Sequence, residues 1–218
     1  MLHLSVDIEK KHVYNTPWLC KSKVGQFETF LTKNKTKGVL QMNNHKKIHN
    51  LVVGGVIAAL YVALTYAQEA IFPTTATMAV QFRLSEALTI LSLFTPAAIP
   101  GLTVGCFIAN FVALGALPMD VVLGSFASFL ACLMMYKLRK ICFKGIPFLS
   151  LLMPAVFNGI IIGLEIEIFF IEGPFHFTSF LIQGGLVALG ELVVLFTAGL
   201  LLTKIIKNKN LEKYLFSI

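Results

Sequence analysis

The chain has 218 residues, of which 56% are hydrophobic and only 13% are charged, and its formal net charge is +7. Soluble domains carry roughly a quarter charged residues, so this composition predicts an integral membrane protein and excludes an ordinary soluble domain. The basic residues cluster at the ends of apolar segments, which indicates membrane topology and argues against a nucleic-acid-binding surface.

Residues 1–41 differ from the rest of the chain, because they are polar and rich in lysine. They lack the apolar stretch of about 7–15 residues that a signal peptide requires. They can be read as a cytoplasmic tail, but we favour translation from Met42, since MNNHKKIHN before an apolar run is a common start of small bacterial membrane proteins. The codons of residues 37–39 can also contain a ribosome-binding sequence. The predicted organisation is an extension over 1–41, a membrane domain over 42–207 and a cytoplasmic tail over 208–218.

Six apolar segments follow, and each is predicted to be a transmembrane helix. The first covers residues 48–67, about 20 residues and therefore about 30 Å of helix. The second and third are short arms over 87–94 and 97–111, which Pro96 separates, and we expect them to form a tight hairpin. The remaining segments cover residues 119–136, 146–170 and 177–206.

Basic residues predict the orientation of these spans, because cytoplasmic loops of membrane proteins carry an excess of lysine and arginine. Six spans place every basic cluster, and both termini, on the cytoplasmic side. We expect that four or five spans would not. The clusters are Lys46 and Lys47; Lys137, Arg139, Lys140 and Lys144; and Lys204, Lys207, Lys209 and Lys213.

Small residues recur at helical spacing along the first span, in the pairs Gly54/Ala58, Gly55/Ala59 and Ala59/Ala63. This spacing lets two helix backbones approach closely within lipid. The residues could pack against another span of the same chain, or they could form a docking face for a partner membrane protein.

Polar side chains within the apolar spans are the candidates for ligand binding, because hydrocarbon offers them no water to bond with. Asn158 and Glu165 are seven residues apart and fall on one helix face, and Glu191 lies near the middle of the sixth span. Each also has a structural alternative: an interhelical hydrogen bond for Asn158, a protonated carboxyl for Glu191 and a solvated outer-loop position for Glu165, which is also the alternative for Glu167 and Glu172. The chain has too few internal cations to neutralise these acids, which favours a cationic or donor-rich ligand.

A second polar cluster, Gln81, Arg83 and Glu86, stands at the start of the second span, and Asn110 ends the third. Arg83 and Glu86 are three residues apart and form either a local ion pair or part of a loop that closes over a ligand.

Motifs of known enzymes are missing from the sequence, which has no HExxH, no GxSxG and no P-loop. We therefore predict no enzymatic activity, no catalytic residues and no cofactor. The energy for any uphill transport must come from an ion gradient or from a separate ATPase. The four cysteines have no paired spacing, so neither a disulfide framework nor a metal site is expected.

Four strings carry a resemblance to a known family: QFRLSEALTIL at 81–91, AIPGLTVGCFIAN at 98–110, NGIIIGLE at 158–165 and GGLVALGE at 184–191. They resemble the QueT family, the queuosine-precursor substrate-binding (S) components of energy-coupling-factor (ECF) transporters. The resemblance covers residues 42–207. It implies an all-α integral membrane protein with six transmembrane helices, ECF S-component-like, with both termini cytoplasmic, in the bacterial plasma membrane.

The resemblance also implies the partners, which are a coupling transmembrane protein and two cytoplasmic ATPases. In related S components, small residues of the first span contact the coupling protein, and here these would be Gly55, Ala59 and Ala63. The loop after the first span, here 67–81, acts as a lid over a solute that is bound from the extracellular side.

Queuosine precursors are 7-deazaguanines that carry, for example, an aminomethyl or a cyano group. Their guanine-like edge presents N–H donors that a carboxylate can accept in bidentate fashion, and an aminomethyl group adds a cation for a second carboxylate. We predict that Glu191 or Glu165 accepts the purine edge and that Asn158 and Asn110 complete the hydrogen bonds. Glu86, Arg83 and Gln81 would organise the lid. Aromatic candidates for a slot around the ring are Tyr66, Phe82, Phe107, Phe111 and Phe157.

Two alternatives stay open. The chain could be an S component for another vitamin-like solute, although a folate would need cations and only Arg83 stands on the outer side. It could also be a non-transporting membrane scaffold or assembly protein, which would not require several acids and amides around an outer cavity.

Overall fold

The computed structural model describes residues 36–72, 82–113, 118–141 and 146–208. Every regular element in those ranges is a helix, which confirms the predicted all-α class for that part of the chain. The helices, in order, are α1 Thr36–Ile71, α2 Leu84–Leu93, α3 Ala98–Val112, α4 Pro118–Leu138, α5 Phe148–Phe170, and α6, which runs through Phe177–Val194, Leu195–Gly199 and Leu200–Asn208.

Four of these helices contain segments long and apolar enough to cross a bilayer, namely Lys46–Ile71, Pro118–Leu138, Phe148–Phe170 and Phe177–Ile206. The other two are shorter: α2 has 10 residues in 3₁₀ conformation and α3 has 15. Because these geometries rise about 2.0 and 1.5 Å per residue, each helix is only about 20 Å long, less than the hydrocarbon core of about 30 Å. Six full crossings therefore stay a prediction.

The basic clusters do not distinguish six crossings from four. A hairpin returns the chain to the side from which it entered, whether it crosses the bilayer or only enters it, so α4 to α6 keep the same orientation. The expectation that four crossings would misplace a cluster does not hold for such a hairpin. Lys144, Lys209 and Lys213 lie outside the described residues, as does most of the predicted tail over 208–218.

Helix α2 lies inside the bundle, in contact with α1, α3, α4 and α6. All of its residues from Ser85 to Leu93 are buried. A helix that other helices surround does not have to match the thickness of the bilayer, because protein rather than lipid satisfies its polar groups. This position places Glu86, in the first turn of α2, in the interior of the protein.

Helices α1 and α3 pack backbone to backbone. A Cβ atom added to Gly101 would lie 2.5 Å from the carbonyl oxygen of Gly54, and one added to Gly105 would lie 3.1 Å from the carbonyl oxygen of Ala58. Both distances are shorter than ordinary van der Waals contact. The small residues Gly54 and Ala58 therefore serve internal packing, the first of the two alternatives for the small residues of this helix.

Helices α5 and α6 approach each other equally closely. A Cβ atom on Gly184 would lie 2.5 Å from the carbonyl oxygen of Gly159, and one on Gly163 would lie 2.7 Å from the Cα of Gly184. Glycine at these positions lets the two backbones touch, which brings Asn158 of α5 against Glu191 of α6.

The predicted extension over 1–41 falls almost entirely outside the described residues, which begin within α1 at Thr36. Translation from Met42 stays a prediction.

Candidate functional site

Polar residues from several helices gather between one end of the bundle and its middle. Successive helices alternate in direction, so the end of α1, the start of α2, the start of α4 and the last turns of α5 meet at the same end. The buried acids of this region are Glu86, Glu165 and Glu191, whose exposed fractions are 2%, 3% and 6%.

Glu86 is held by a tyrosine from α1. The hydroxyl of Tyr61 donates to Oε1 of Glu86 at 2.5 Å. Oε2 of Glu86 is buried and has no hydrogen-bond partner within the described part of the chain. Arg83 interacts electrostatically with Glu86 but does not donate to that oxygen, so Glu86 keeps one acceptor available.

Glu191 is held by an amide from α5. Nδ2 of Asn158 donates to Oε1 of Glu191 at 2.8 Å, so the interhelical hydrogen bond considered for Asn158 is formed. Oε2 of Glu191 is buried, and the described residues supply no partner for it. Glu86 and Arg83 both interact electrostatically with Glu191, which shows that the two acids belong to one cluster.

Glu165 lies in the last α-helical turn of α5 and is buried, so the alternative of an outer-loop position is wrong. Its carboxyl group is hydrogen-bonded to that of Asp120, in the first turn of α4. Its Oε1 atom is buried and also lacks a partner among the residues the structure describes. Arg83 is again the cation within electrostatic range.

Three buried glutamates thus lie within electrostatic range of Arg83, and each keeps one carboxylate oxygen without a donor among the described residues. Leaving a buried polar atom unsatisfied costs about 1–3 kcal/mol, and more when the group is charged. The cluster can accept hydrogen bonds from a molecule that carries several N–H donors or a positive charge, and such a molecule would remove this cost.

Both long helices that carry these acids change conformation next to them. In α5, the residues Ile166–Phe170 form a π-helical turn directly after Glu165, and in α6 the residues Leu195–Gly199 form another one turn beyond Glu191. Turns of this kind are rare and often occur at functional sites, because they shift the helix face on which the next side chains lie.

Asn110 takes part in helix packing. Its Nδ2 atom donates to the main-chain oxygen of Asp120 at 3.2 Å and lies 3.5 Å from Sγ of Cys106, which ties α3 to α4. Its predicted hydrogen bond to a ligand stays a prediction. Gln81, the other end residue predicted here, lies outside the described residues.

Two residues of α1 that sequence reasoning missed support the site. One is Tyr61, and the other is Gln68, whose Oε1 accepts from the main-chain nitrogen of Leu84 at 2.6 Å and whose Nε2 donates to the main-chain oxygen of Phe82. These two bonds flank Arg83 and fix its backbone. The available signal was the spacing of seven residues between Tyr61 and Gln68, which places both polar groups on one face of an apolar helix.

Glu167 is buried as well, with 3% of its surface exposed, so the outer-loop interpretation is wrong for it, whereas Glu172 is exposed. Its Oε1 atom accepts from the main-chain nitrogen of His176 at 2.8 Å, directly before α6 begins, and its Oε2 atom is buried without a partner among the described residues. Glu167 therefore stabilises the start of a helix, as acids near helix N-termini commonly do.

Three of the aromatic candidates have exposed side chains, and the first of them is Phe82. Phe107 and Phe111 are both exposed, and their rings stack on each other with centroids 6.1 Å apart. They do not line the buried acid cluster.

The second set of small residues on α1 lines an open apolar groove. Gly55, Ala59 and Ala63 are exposed, and a Cβ atom on Gly55 would meet nothing within 4 Å. The groove is completed by residues of α1 and α3, namely Ala58, Val62, Val104 and Ile108.

Comparison with known proteins agrees with this architecture. The profile of the family described as "QueT transporter" matches residues 51–208. The queuosine precursor transporter QueT of Lactococcus lactis subsp. cremoris (strain MG1363) is 30% identical over 173 residues, which cover 77% of this chain and 98% of that relative. No solved structure matches the chain. The family match spans more than half of the chain and all three acids of the cluster, and the chain therefore belongs to the QueT transporter family.

Proposed function

We propose that this protein is the substrate-binding S component of an ECF-type importer and that it takes up a queuosine precursor, a 7-deazaguanine such as the aminomethyl or cyano form. The relative from Lactococcus lactis is named for transport of a queuosine precursor. The observation that carries the proposal is the set of three buried glutamates, each with an unpartnered oxygen, within electrostatic range of Arg83.

The guanine-like edge of the solute supplies what Glu191 lacks. That edge carries neighbouring N–H donors, and a carboxylate accepts two such donors at once. Asn158 already holds Oε1 of Glu191, which fixes the carboxylate and leaves Oε2 for the solute. We assign the purine edge to Glu191, with Asn158 and Asn110 beside it.

Arg83 and Glu86 stand where a lid would meet the solute. They come shortly after residues 73–81, which belong to the predicted lid, and Gln68 fixes the backbone on both sides of Arg83. We infer that the lid, including Gln81, closes over the solute from this anchored base and that Glu86 contacts the solute through its second oxygen.

The groove on α1 supports docking of the coupling transmembrane protein. Only 22% of the apolar window of α1 is buried within the chain, half the 44% of α4 and α5, so most of α1 is available to lipid or to a partner. Small residues allow close approach of two helices in lipid. The partner would rest on Gly55, Ala59 and Ala63, and two ATPases bound to it would power uptake.

The same proposal includes the membrane topology. The protein would reside in the bacterial plasma membrane, with α2 and α3 completing six transmembrane segments and with both termini in the cytoplasm.

Equilibrium binding to the purified protein tests the solute assignment. We expect the aminomethyl and cyano 7-deazaguanines to bind and adenine, which has a different donor pattern on its edge, to bind much more weakly. A protein that binds none of the 7-deazaguanines would not be their carrier, and the scaffold alternative would then be favoured.

Co-purification with the coupling protein and its ATPases tests docking separately. Ala59→Phe fills the groove, whereas Val56→Phe places the same ring on an exposed position of α1 outside it. We expect only Ala59→Phe to abolish the complex, with solute binding by the isolated protein retained in both variants. A complex that survives Ala59→Phe would exclude this docking face.

A further inference from the structure

Asp120 and Glu165 form a pair of acidic side chains that needs a proton or another cation between its carboxyl groups. Their carboxyl groups are hydrogen-bonded to each other at the junction of α4 and α5. Two carboxylates have only acceptor atoms, so they cannot bond to each other unless a proton, or another cation, lies between them. In addition, Oε1 of Glu165 is buried and has no partner within the described residues, and only 3% of the residue is exposed.

The charges around this pair favour a positively charged ligand group. Arg83 interacts electrostatically with Glu86 and Glu191 as well as with Glu165, so one cation is shared by several acids. It does not donate to the unpartnered oxygen of Glu165. The cluster therefore has more acidic than basic side chains, and burial makes each unbalanced charge costly.

The pair lies at a suitable distance from the site assigned to the purine edge. Asn158, which holds Glu191, and Glu165 are seven residues apart on one face of α5, which corresponds to about 10 Å along the helix axis. The two unpartnered oxygens, Oε2 of Glu191 and Oε1 of Glu165, therefore lie at different depths along the bundle. A flat bicyclic ring with a one-carbon arm, hydrogen-bonded at both ends, has a comparable length.

We propose that Glu165 and Asp120 form a subsite for a cationic substituent of the solute and thereby make the protein selective for the aminomethyl precursor over uncharged precursors. This inference rests on the proposed function, because it assigns the second end of the same solute. The ammonium group has three donors, which is enough to bond Glu165 and Asp120 together and to replace the proton between them.

An organic ammonium fits the pair better than a metal ion does. Across the described part of the chain, no group of three or more His, Cys, Asp or Glu side chains is arranged to hold a metal. A nitrile in the same place would offer only an acceptor to two acceptors, which is unfavourable. The pair is therefore expected to favour binding of the ammonium group and to disfavour binding of the nitrile.

The experiment is isothermal titration of the purified full-length protein with three ligands that differ in one group: the aminomethyl, cyano and hydroxymethyl 7-deazaguanines. The hydroxymethyl compound has nearly the shape of the aminomethyl one but no charge. We expect the wild-type protein to bind the aminomethyl form roughly 10- to 100-fold more tightly than the hydroxymethyl form, since the hydrogen bond in question is charged and buried. Equal affinity would overturn the inference, and this ligand-side test does not depend on any variant folding.

Glu165→Gln and Asp120→Asn test the residues themselves. We expect both to reduce the ratio of the two affinities towards one. Glu191→Gln is the matched control, because it removes a buried carboxylate at the purine end and should weaken both ligands while preserving the ratio. A ratio that survives in Glu165→Gln, or that collapses equally in Glu191→Gln, would overturn the assignment. A wild-type protein that binds both ligands equally contradicts only the cationic subsite, whereas one that binds none of the three contradicts the proposed function.

Discussion

Replacing Glu191 by glutamine should separate solute binding from stability. In the folded protein, Oε1 of Glu191 accepts from Asn158, and a glutamine oxygen can still do so. The substitution also removes a buried acid whose ionised form would be repelled by Glu86. We therefore expect the thermal unfolding temperature of Glu191→Gln to remain unchanged or to rise.

Solute affinity, in contrast, should fall in the Glu191→Gln variant. The lost group is Oε2 of Glu191, which is buried and has no partner in the described part of the chain, so the solute would be its donor. Loss of a charged, buried hydrogen bond costs roughly 2–4 kcal/mol, which corresponds to about 30- to 1000-fold in affinity. Titration calorimetry on detergent-purified protein measures this effect, and uptake by whole cells should be lost in the same variant.

Glu167 provides the matched control for this prediction. It is as deeply buried as the acids of the cluster, and its Oε2 atom likewise has no partner among the described residues. It differs in place, because its other oxygen accepts from the backbone of His176 at the start of α6 and its charged neighbour is His176 instead of Arg83. Glu167→Gln should therefore leave the affinity for the solute unchanged. The reasoning would be refuted if Glu191→Gln bound the solute like the wild-type protein, or if Glu167→Gln lost binding to the same extent.

Three further substitutions test the supporting contacts. Tyr61→Phe removes the donor to its glutamate partner and should lower the free energy of unfolding by about 1–3 kcal/mol, which denaturation in detergent can measure. Gly184→Ala places a Cβ atom 2.5 Å from a carbonyl oxygen of α5 and should destabilise the protein by about 1–3 kcal/mol. Gly185→Ala is its control, because a Cβ atom there would meet nothing within 4 Å and should not destabilise the protein. Equal melting temperatures of the two variants would contradict the close packing of α5 and α6. Gln68→Leu removes both bonds that flank Arg83 and should accelerate solute release in stopped-flow measurements, with an unchanged rate arguing against an anchored lid.

The helical architecture could be predicted from the sequence because hydrophobic segment length alone carries that information. The predicted segments 119–136 and 177–206 match α4 and the membrane-crossing part of α6 within a few residues. The depth of α2 could not be predicted in this way. Its residues are apolar like those of a lipid-facing helix, and only the folded bundle shows that α1, α3, α4 and α6 surround it.

The polar residues of the site were predictable as individual positions, because charge within an apolar span is rare. Their partners were not, since a partner such as Tyr61 or Asp120 comes from another helix, and the local spacing of Tyr61 and Gln68 does not indicate which acid is contacted. The prediction for Glu167 was wrong, because this residue is buried and not solvated. Its position near a loop suggested a solvated residue, but the π-helical turn Ile166–Phe170 continues α5, and Glu167 within it is buried.

Helix α1 links the two halves of the proposed mechanism, because its opposite faces serve different purposes. Tyr61 and Gln68 face the acid cluster and hold Glu86 and the backbone around Arg83. The exposed residues Gly55 and Ala59 line the groove on the other side. Gly105 of α3 lies so close that a Cβ atom there would be 2.9 Å from the Cβ of Tyr61, so α1 cannot shift independently of α3. A solute that engages Glu86 would therefore act on a rigid α1–α3 pair, and any displacement of that pair would change the surface offered to the coupling protein.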